Sequence, residues 1–354
     1  MVSIEEVARA AEVSAATVSR ALSGRGHVSA ATRRRVEAVA QELGYVPSSA
    51  ASSLASGRTR NVGVIVPFLD RWYFGTVLGG ISEALMEHGY DITLYNVASV
   101  EATRQRIFDS FIHRRRVDGV VAVGMELDEV ETATLAGLGI PVVAIGGPAR
   151  GLPWIAIDDV AVARLATEHL IALGHRRIGH IGGDPLFDLD FHVPTRRRLG
   201  YEEALADAGI QPDAKLVEPG NFTIEGGYVA AKQLLGGPGR SVTAIFAGSD
   251  EMAIGAILAA RDLGLRVPQD LSIIGIDGHD LGPFFGLTTV DQFPAAQGRS
   301  AARVILADLD GDATAPGQAL PYELLVRSTT MAVPRTPAEP ADDRGERGRQ
   351  AHRA

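Results

Sequence analysis

The sequence predicts two fold classes in one chain: a small all-α helix-turn-helix head, followed by an α/β body of two Rossmann-like lobes. Three observations predict this. Residues 3–45 hold three short helical stretches, each opened by a serine. From Asn61 onward, short apolar runs alternate with helical stretches, the pattern of parallel strands covered on both faces. That region is about 270 residues long, a lot for one sheet, so two similar lobes with a cleft between them are expected.

In the head, Ser3 and Glu6 form the spacing S-x-x-E of a capping box for the first helix. Val7, Ala10 and Ala11 supply its inner face, and Ala8 is small where two helices must cross closely. Ser14 caps the second helix, and Val18 and Leu22, four apart, point inward. Ser29 caps the third, whose stripe Val36, Val39, Ala40 and Leu43 ends at Gly44. The outward positions of the second helix are Ala15, Ala16, Thr17, Ser19 and Arg20. A small, polar, singly basic helix of this kind suits the major groove of duplex DNA. Alanine and threonine methyls can meet a thymine methyl, and an arginine can bridge guanine O6 and N7. Arg20 is therefore expected to read bases, with Thr17 and Ser19 at phosphate or base edges. Ser29, Thr32 and Tyr45 are expected at phosphates, which position without specifying. Read singly, each of these is more simply an ordinary solvated helix face; the constellation reverses that and favours DNA.

Charge fits this division. The chain carries −9, yet residues 1–60 hold eight Arg against five Asp or Glu, leaving −12 for the remainder. A mildly basic head on an acidic body is what results if only the head meets phosphate. Zero cysteines exclude disulfides and thiolate metal sites and are compatible with a reducing cytosol. No run approaches the roughly 20 apolar residues of a membrane span. The acidic start Met1–Glu6 is no secretory signal. A cytoplasmic protein with no membrane partner is expected.

Pro47 ends the head at residue 46, and residues 47–60 form a hinge. The stretch Ser48–Gly57 is rich in Ala and Ser and too short to hold a helix alone, with Leu54 its lone large apolar side chain. It reads equally as a flexible linker.

In the body, residues 62–66, 92–95, 119–123, 142–145, 178–181, 244–247 and 271–276 read as strands. Residues 78–88, 161–173, 197–208, 225–235 and 251–263 read as helices. Ligands of open α/β sheets sit beyond the carboxyl ends of strands. That rule selects Tyr73 and Phe74 after the first strand, Ser249 and Asp250 after Ala247, and Asp277 after Ile276. Asp250 serves equally as a helix cap. Asp158 and Asp159 are expected to be caps, and His175 a structural residue in a helix stop. No G-x-S-x-G, G-x-x-x-x-G-K-[ST], H-E-x-x-H or post-strand G-x-G-x-x-G is present, and the nine histidines lack metal-ligand spacing. Cleft aspartates could act as acid and base, but the head makes binding the better account. The expectation is no enzyme, no cofactor and no metal.

The run Val13-Ser14-Ala15-Ala16-Thr17-Val18-Ser19-Arg20-Ala21-Leu22, with His27-Val28-Ser29, Thr32-Arg33 and Glu42-Leu43-Gly44-Tyr45-Val46-Pro47, closely resembles the lactose/galactose repressor family of bacterial regulators. The resemblance continues through Val117-Asp118-Gly119-Val120, Leu173-Gly174-His175, Ser249-Asp250-Glu251-Met252 and Ile274-Gly275-Ile276-Asp277, and spans about residues 3–330. It implies a periplasmic-binding-protein-like body whose lobes are joined by three crossings. The expected lobes are residues 61–159 plus 292–322 and residues 160–291 plus 323–334. It also implies ligand contacts at the positions selected above and adds Arg197, Phe222 and Phe293, with Phe222 equally a core residue. Aromatic faces with Asp and Arg would suit a carbohydrate. The hinge would become helical on operator DNA and wedge Leu54 into the minor groove. The sequence departs from the family at Glu12, usually Gly, at Ser48 and Ser52, commonly Asn and Arg, and at Gly146, acidic in some sugar-responsive relatives.

Residues 335–354, rich in Pro, Gly, Ala and charge, are expected to be disordered and carry no leucine heptad, so a homodimer is expected. The reading is a repressor that binds a near-palindromic operator under control of a small metabolite, most simply a sugar. Its rivals are a secreted solute-binding protein, an enzyme acting on the cleft ligand, and a constitutive DNA binder with a vestigial cleft.

Overall fold

The computed structural model describes residues 2–23, 27–45, 57–97, 101–111, 114, 116–149, 151–183, 192–236, 242–312 and 315–333. Leu54, most of the expected hinge and the expected tail lie outside the described residues.

The head is built from α1 (Ile4–Ala10), α2 (Ala15–Ser23) and α3 (Ala30–Leu43). The capping box forms as the spacing predicts: the Ser3 amide donates to Glu6 Oε2 at 2.7 Å, and the Glu6 amide to Ser3 Oγ at 3.3 Å. Ser14 Oγ accepts from the Thr17 amide at 3.2 Å, and Ser29 Oγ from the Thr32 amide at 3.1 Å. Val7, Ala8, Ala11, Val18, Ala21, Val36 and Ala40 make the core. Ala10 was expected inside and is exposed; the turn of the helix buries Ala8 in its place. α3 ends at Gly44 in the left-handed conformation, φ 66°.

The body contains two six-stranded sheets. The first comprises β1 (Asn61–Val66), β2 (Asp91–Asn96), β3 (Gly119–Val123), β4 (Val142–Ile145), β5 (Trp154–Ala156) and β11 (Gly317–Ala319), in the order β11-β5-β4-β3-β1-β2, all parallel. The second comprises β6 (Ile178–Gly182), β7 (Val217–Pro219), β8 (Ala244–Ala247), β9 (Ser272–Asp277), β10 (Thr288–Asp291) and β12 (Glu323–Leu325). Its order is β12-β10-β9-β8-β6-β7, with only β12 antiparallel. The chain passes between the sheets three times, after β5, after β10 and after β11. The central strands are buried along their whole length, as in sheets covered on both faces.

Helices cover the sheets in pairs. Trp72–Met86 lies against Pro294–Leu309 on the first sheet. Asp159–Ala172 lies against Val193–Asp207, and Ile224–Gly236 against Asp250–Asp262, on the second. In the first pair the backbones nearly touch: a Cβ on Gly80 would meet the Ala295 carbonyl oxygen, and one on Gly298 the Val77 carbonyl oxygen, each at 2.1 Å. Only glycine permits that approach. The helix Pro294–Leu309 and the strands β5, β7, β10, β11 and β12 were not among the stretches read from sequence.

Candidate functional site

In the head, Ala16 and Arg20 are exposed on α2, while Ala15, Thr17 and Ser19 are partly buried. Arg20 folds back on its own helix: its Nε donates to the Ala16 carbonyl at 3.1 Å and its Nη2 approaches Thr17 Oγ1 at 3.5 Å. Ser14 and Thr17 hydroxyls meet at 2.9 Å, and Ser29 and Thr32 hydroxyls at 2.8 Å. α2 and α3 therefore each start with a paired serine and threonine, the caps leaving helix N-termini suited to phosphate oxygens. The Tyr45 ring packs against the head core while its amide donates to the Ala40 carbonyl at 2.8 Å. Glu12, in the turn between α1 and α2, is left-handed at φ 53°, where glycine is the cheaper residue.

In the body, the carboxyl ends of the strands bring together a connected polar chain. Arg197 sits on Val193–Asp207 and is 5% exposed. Its Nε donates to Asp159 Oδ1 at 2.8 Å, its Nη1 donates to the Gly248 carbonyl, and the same Nη1 lies 4.0 Å from Asp277 Oδ1. Gln292 Nε2 donates to Asp277 Oδ1 at 2.5 Å. Gln297 Nε2 donates to the Gln292 carbonyl at 2.8 Å, and the Tyr73 hydroxyl donates to Gln297 Oε1 at 2.8 Å. This chain runs from the second sheet to the first.

Burial dominates its electrostatics. Asp277 at the end of β9 is buried, with φ 139°, and burial pushes its carboxyl well above the carboxylate range despite the nearby Arg197. Asp250 is 0% exposed and also raised by burial; its Oδ2 accepts the His279 amide at 2.8 Å. Asp159 is raised by burial against the pull of Arg197.

The other expected residues fall around this chain. Phe74 belongs to the core of the first lobe, edge-on to Tyr73 with ring centroids 5.3 Å apart. Phe222 and Phe293 are partly buried and left-handed at φ 55° and 50°. The Phe293 amide donates to Asp291 Oδ1 at 2.7 Å. Ser249 caps its helix by accepting the Met252 amide at 3.3 Å, so Asp250 is not the cap. Asp158 caps the next helix through the Val160 and Ala161 amides; Asp159, expected as a second cap, is instead the buried partner of Arg197. His175 is buried, its ring bonded to Thr243, Ser272 and the Met331 carbonyl.

Sequence reasoning missed Asp159, Gln292 and Gln297 as members of the polar chain. It also missed a contact between the two lobes. Trp72 stacks on His279, its amide approaches Glu251 Oε2 at 3.4 Å, and its Nε1 donates to Asp280. A second contact between the lobes brings His192 Nε2 to 3.2 Å from Glu126 Oε2. The only available signal was position: these residues follow strand ends or stand at helix starts, His192 as the N-cap of Val193–Asp207. Among the described residues no group of His, Asp and Glu could hold a metal, and no helix is long and apolar enough to cross a membrane.

Residues 3–48 match the model of bacterial regulatory proteins of the lacI family, and residues 167–330 match that of the periplasmic binding protein-like domain. The chain is 35% identical over 337 residues to the HTH-type transcriptional repressor CytR of Escherichia coli K12, covering 94% of this chain and 97% of the relative. Among solved structures, the lac repressor dimer bound to operator and the anti-inducer ONPF is similar with a TM-score of 0.82 at 29% identity, over 94% of this chain and 99% of that one. The complex of the transcriptional regulator CelR with cellobiose is similar with a TM-score of 0.67 at 32% identity, over 93% and 100%.

Proposed function

Because the chain belongs to the LacI family of bacterial regulatory proteins, we propose that this DNA-binding transcriptional regulator acts as a homodimeric repressor whose operator affinity is set by a small carbohydrate held between its lobes. Each head takes one half-site of a near-palindromic operator, with half-site centres about one helical turn, or 34–36 Å, apart. Ala15, Ala16, Thr17, Ser19 and Arg20 face the groove, with Ser29, Thr32 and Tyr45 at phosphates. Residues 1–46 act as head, 47–60 as hinge, and 61–334 as the two-lobed sensor.

The observation that carries the sensor reading is the buried polar chain Asp159–Arg197–Asp277–Gln292–Gln297–Tyr73, which ties together elements of both lobes. Such a chain supplies donors and acceptors for hydroxyls, with Tyr73, Phe222 and Phe293 as apolar faces for C–H groups. The Arg197 guanidinium is already taken by Asp159, Gly248 and the neighbouring Asp277. Asp250 adds a further buried carboxyl. The cleft therefore favours an uncharged hydroxylated ligand over a phosphorylated or carboxylated one, since an anion would find no uncommitted cation in the polar chain. Ligand and DNA then affect each other reciprocally, with a coupling of about 1–3 kcal/mol.

The test is calorimetry of the full chain with cellobiose, ribose and other neutral sugars, beside their phosphates. Binding of a neutral sugar and not of its phosphate supports the reading. Preference for a phosphate, or turnover of any sugar, overturns it.

A further inference from the structure

Residues 58–60 join the head-bearing segment to β1, and three parts of the first lobe hold them. Asp118, 8% exposed at the start of β3, accepts the Thr59 amide at 2.7 Å, the Thr59 hydroxyl at 2.9 Å and the Arg60 amide at 2.8 Å. Arg60 is left-handed at φ 55°, so the chain turns sharply at the clamp. Its guanidinium lies 5.0 Å above the Tyr90 ring, and Nη1 donates to the His88 carbonyl at 3.2 Å. Arg58 donates through Nη2 to the Leu309 carbonyl and lies 3.7 Å from Asp310.

His88 follows the C-terminal end of Trp72–Met86, and Leu309 ends Pro294–Leu309. The opposite ends of these two helices stand at the cleft: Tyr73 opens the first, Gln297 lies in the first turns of the second, and their side chains are hydrogen-bonded. From Gln297 to Leu309 is about 18 Å of helix. Close approach at Gly80 and Gly298 makes the pair one stiff body. A movement imposed at Gln292–Gln297–Tyr73 thus shifts both carbonyl ends that Arg58 and Arg60 grip.

We propose that this two-helix strut passes the state of the cleft to the hinge, with Asp118 the positioning residue that fixes where the head's tether leaves the body. A buried carboxylate whose three hydrogen bonds all go to Thr59 and Arg60 serves the tether rather than its own strand. Arg58 and Arg60 then read the strut's far end through backbone carbonyls, Arg58 at Leu309, the last residue of its helix, and Arg60 at His88, in the turn that directly follows Trp72–Met86. The inference rests on the reading of the chain as an effector-controlled DNA binder.

The test is a double-mutant cycle in the full chain, with the duplex that the wild-type protein enriches from a random-sequence pool as probe. Asp118→Asn keeps the shape of the clamp and weakens it; Gln297→Leu cuts the chain at the cleft. Distant, independent sites combine multiplicatively in affinity. The strut predicts that Asp118→Asn lowers duplex affinity about tenfold, and that the double variant departs from the product of the single effects by fivefold or more. A product within twofold, with all variants melting cooperatively, overturns the strut and leaves the functional reading intact. If Asp118→Asn does not fold, Thr59→Val removes one clamp bond and is held to the same criterion. A wild-type chain that enriches no duplex overturns the functional reading and the strut with it.

Discussion

Trp72 of the first lobe lies flat against His279 of the second, their ring centroids 4.4 Å apart and their planes 23° from parallel, while its indole N–H donates to Asp280 Oδ2 at 3.1 Å. The pair bridges the two lobes and favours the arrangement in which they touch. A stacked aromatic pair contributes about 0.5–1.5 kcal/mol, and the solvent-exposed hydrogen bond to Asp280 adds less than a buried one would. Trp72→Ala should therefore depopulate the closed form and weaken effector binding roughly tenfold, since apparent affinity scales with the competent fraction. Calorimetry with the best-binding neutral sugar checks this. An unchanged affinity would mean the bridge has no part in closure.

Arg20→Ala should cost about 1–3 kcal/mol of operator affinity and relax selectivity at one base-pair position of each half-site. The side chain that rests on Ala16 and Thr17 in the free head is long enough to swing into the groove. Selection from a random duplex pool reads the outcome; the same consensus at the same strength would remove Arg20 from base reading.

Glu12 occupies a left-handed position that a β-carbon disfavours. Glu12→Gly should stabilise the head by about 1 kcal/mol, seen as a higher denaturant midpoint in exchange of the α1 and α2 amides. No gain would show that the Glu12 side chain earns its place through contacts of its own.

His180 lies between Tyr201 and Phe246, with ring centroids 5.1 Å and 4.8 Å away, and its Nδ1 donates to the Phe246 carbonyl. Burial pushes its pKa from 6.5 down to about 4. Between those values the unfolded chain binds more protons than the native one, so stability rises with pH across that window and is lost as pH falls through it. The loss amounts to at most about 3 kcal/mol. His180→Phe should flatten this slope. The raised carboxyls Asp159, Asp250 and Asp277 act with the opposite sign, and comparison with wild type at pH 4.5 and 7.5 subtracts them. Equal slopes for the two proteins would contradict a neutral buried imidazole.

The head was legible almost residue by residue, because its signals are local: Ser3, Ser14 and Ser29 cap within three residues, and Gly44 stops α3. The central strands were legible because burial on both faces leaves unbroken apolar runs. The helix Trp72–Met86 was expected only from residue 78, since its N-cap, Arg71, makes no side-chain cap and its first turn is aromatic. Pro294–Leu309 escaped because the inner face of its first turns is small or polar, Gln297, Gly298, Ala301 and Ala302, with large apolar side chains, Ile305 and Leu306, only near its end. Asp159 reads as a cap from its neighbours. Only the fold, which brings Arg197 from 38 residues away, makes it a buried ion pair.

The central claim is that a basic head binds duplex DNA under the control of a small molecule in the acidic body. Its most direct measurement is the affinity of the full chain for its selected duplex between 50 and roughly 200 mM salt, with and without the best-binding neutral sugar. The account predicts a linear fall of log affinity with log salt, and a shift of at least fivefold on adding the sugar. An affinity for duplex that ignores both salt and every sugar that binds the body would contradict it.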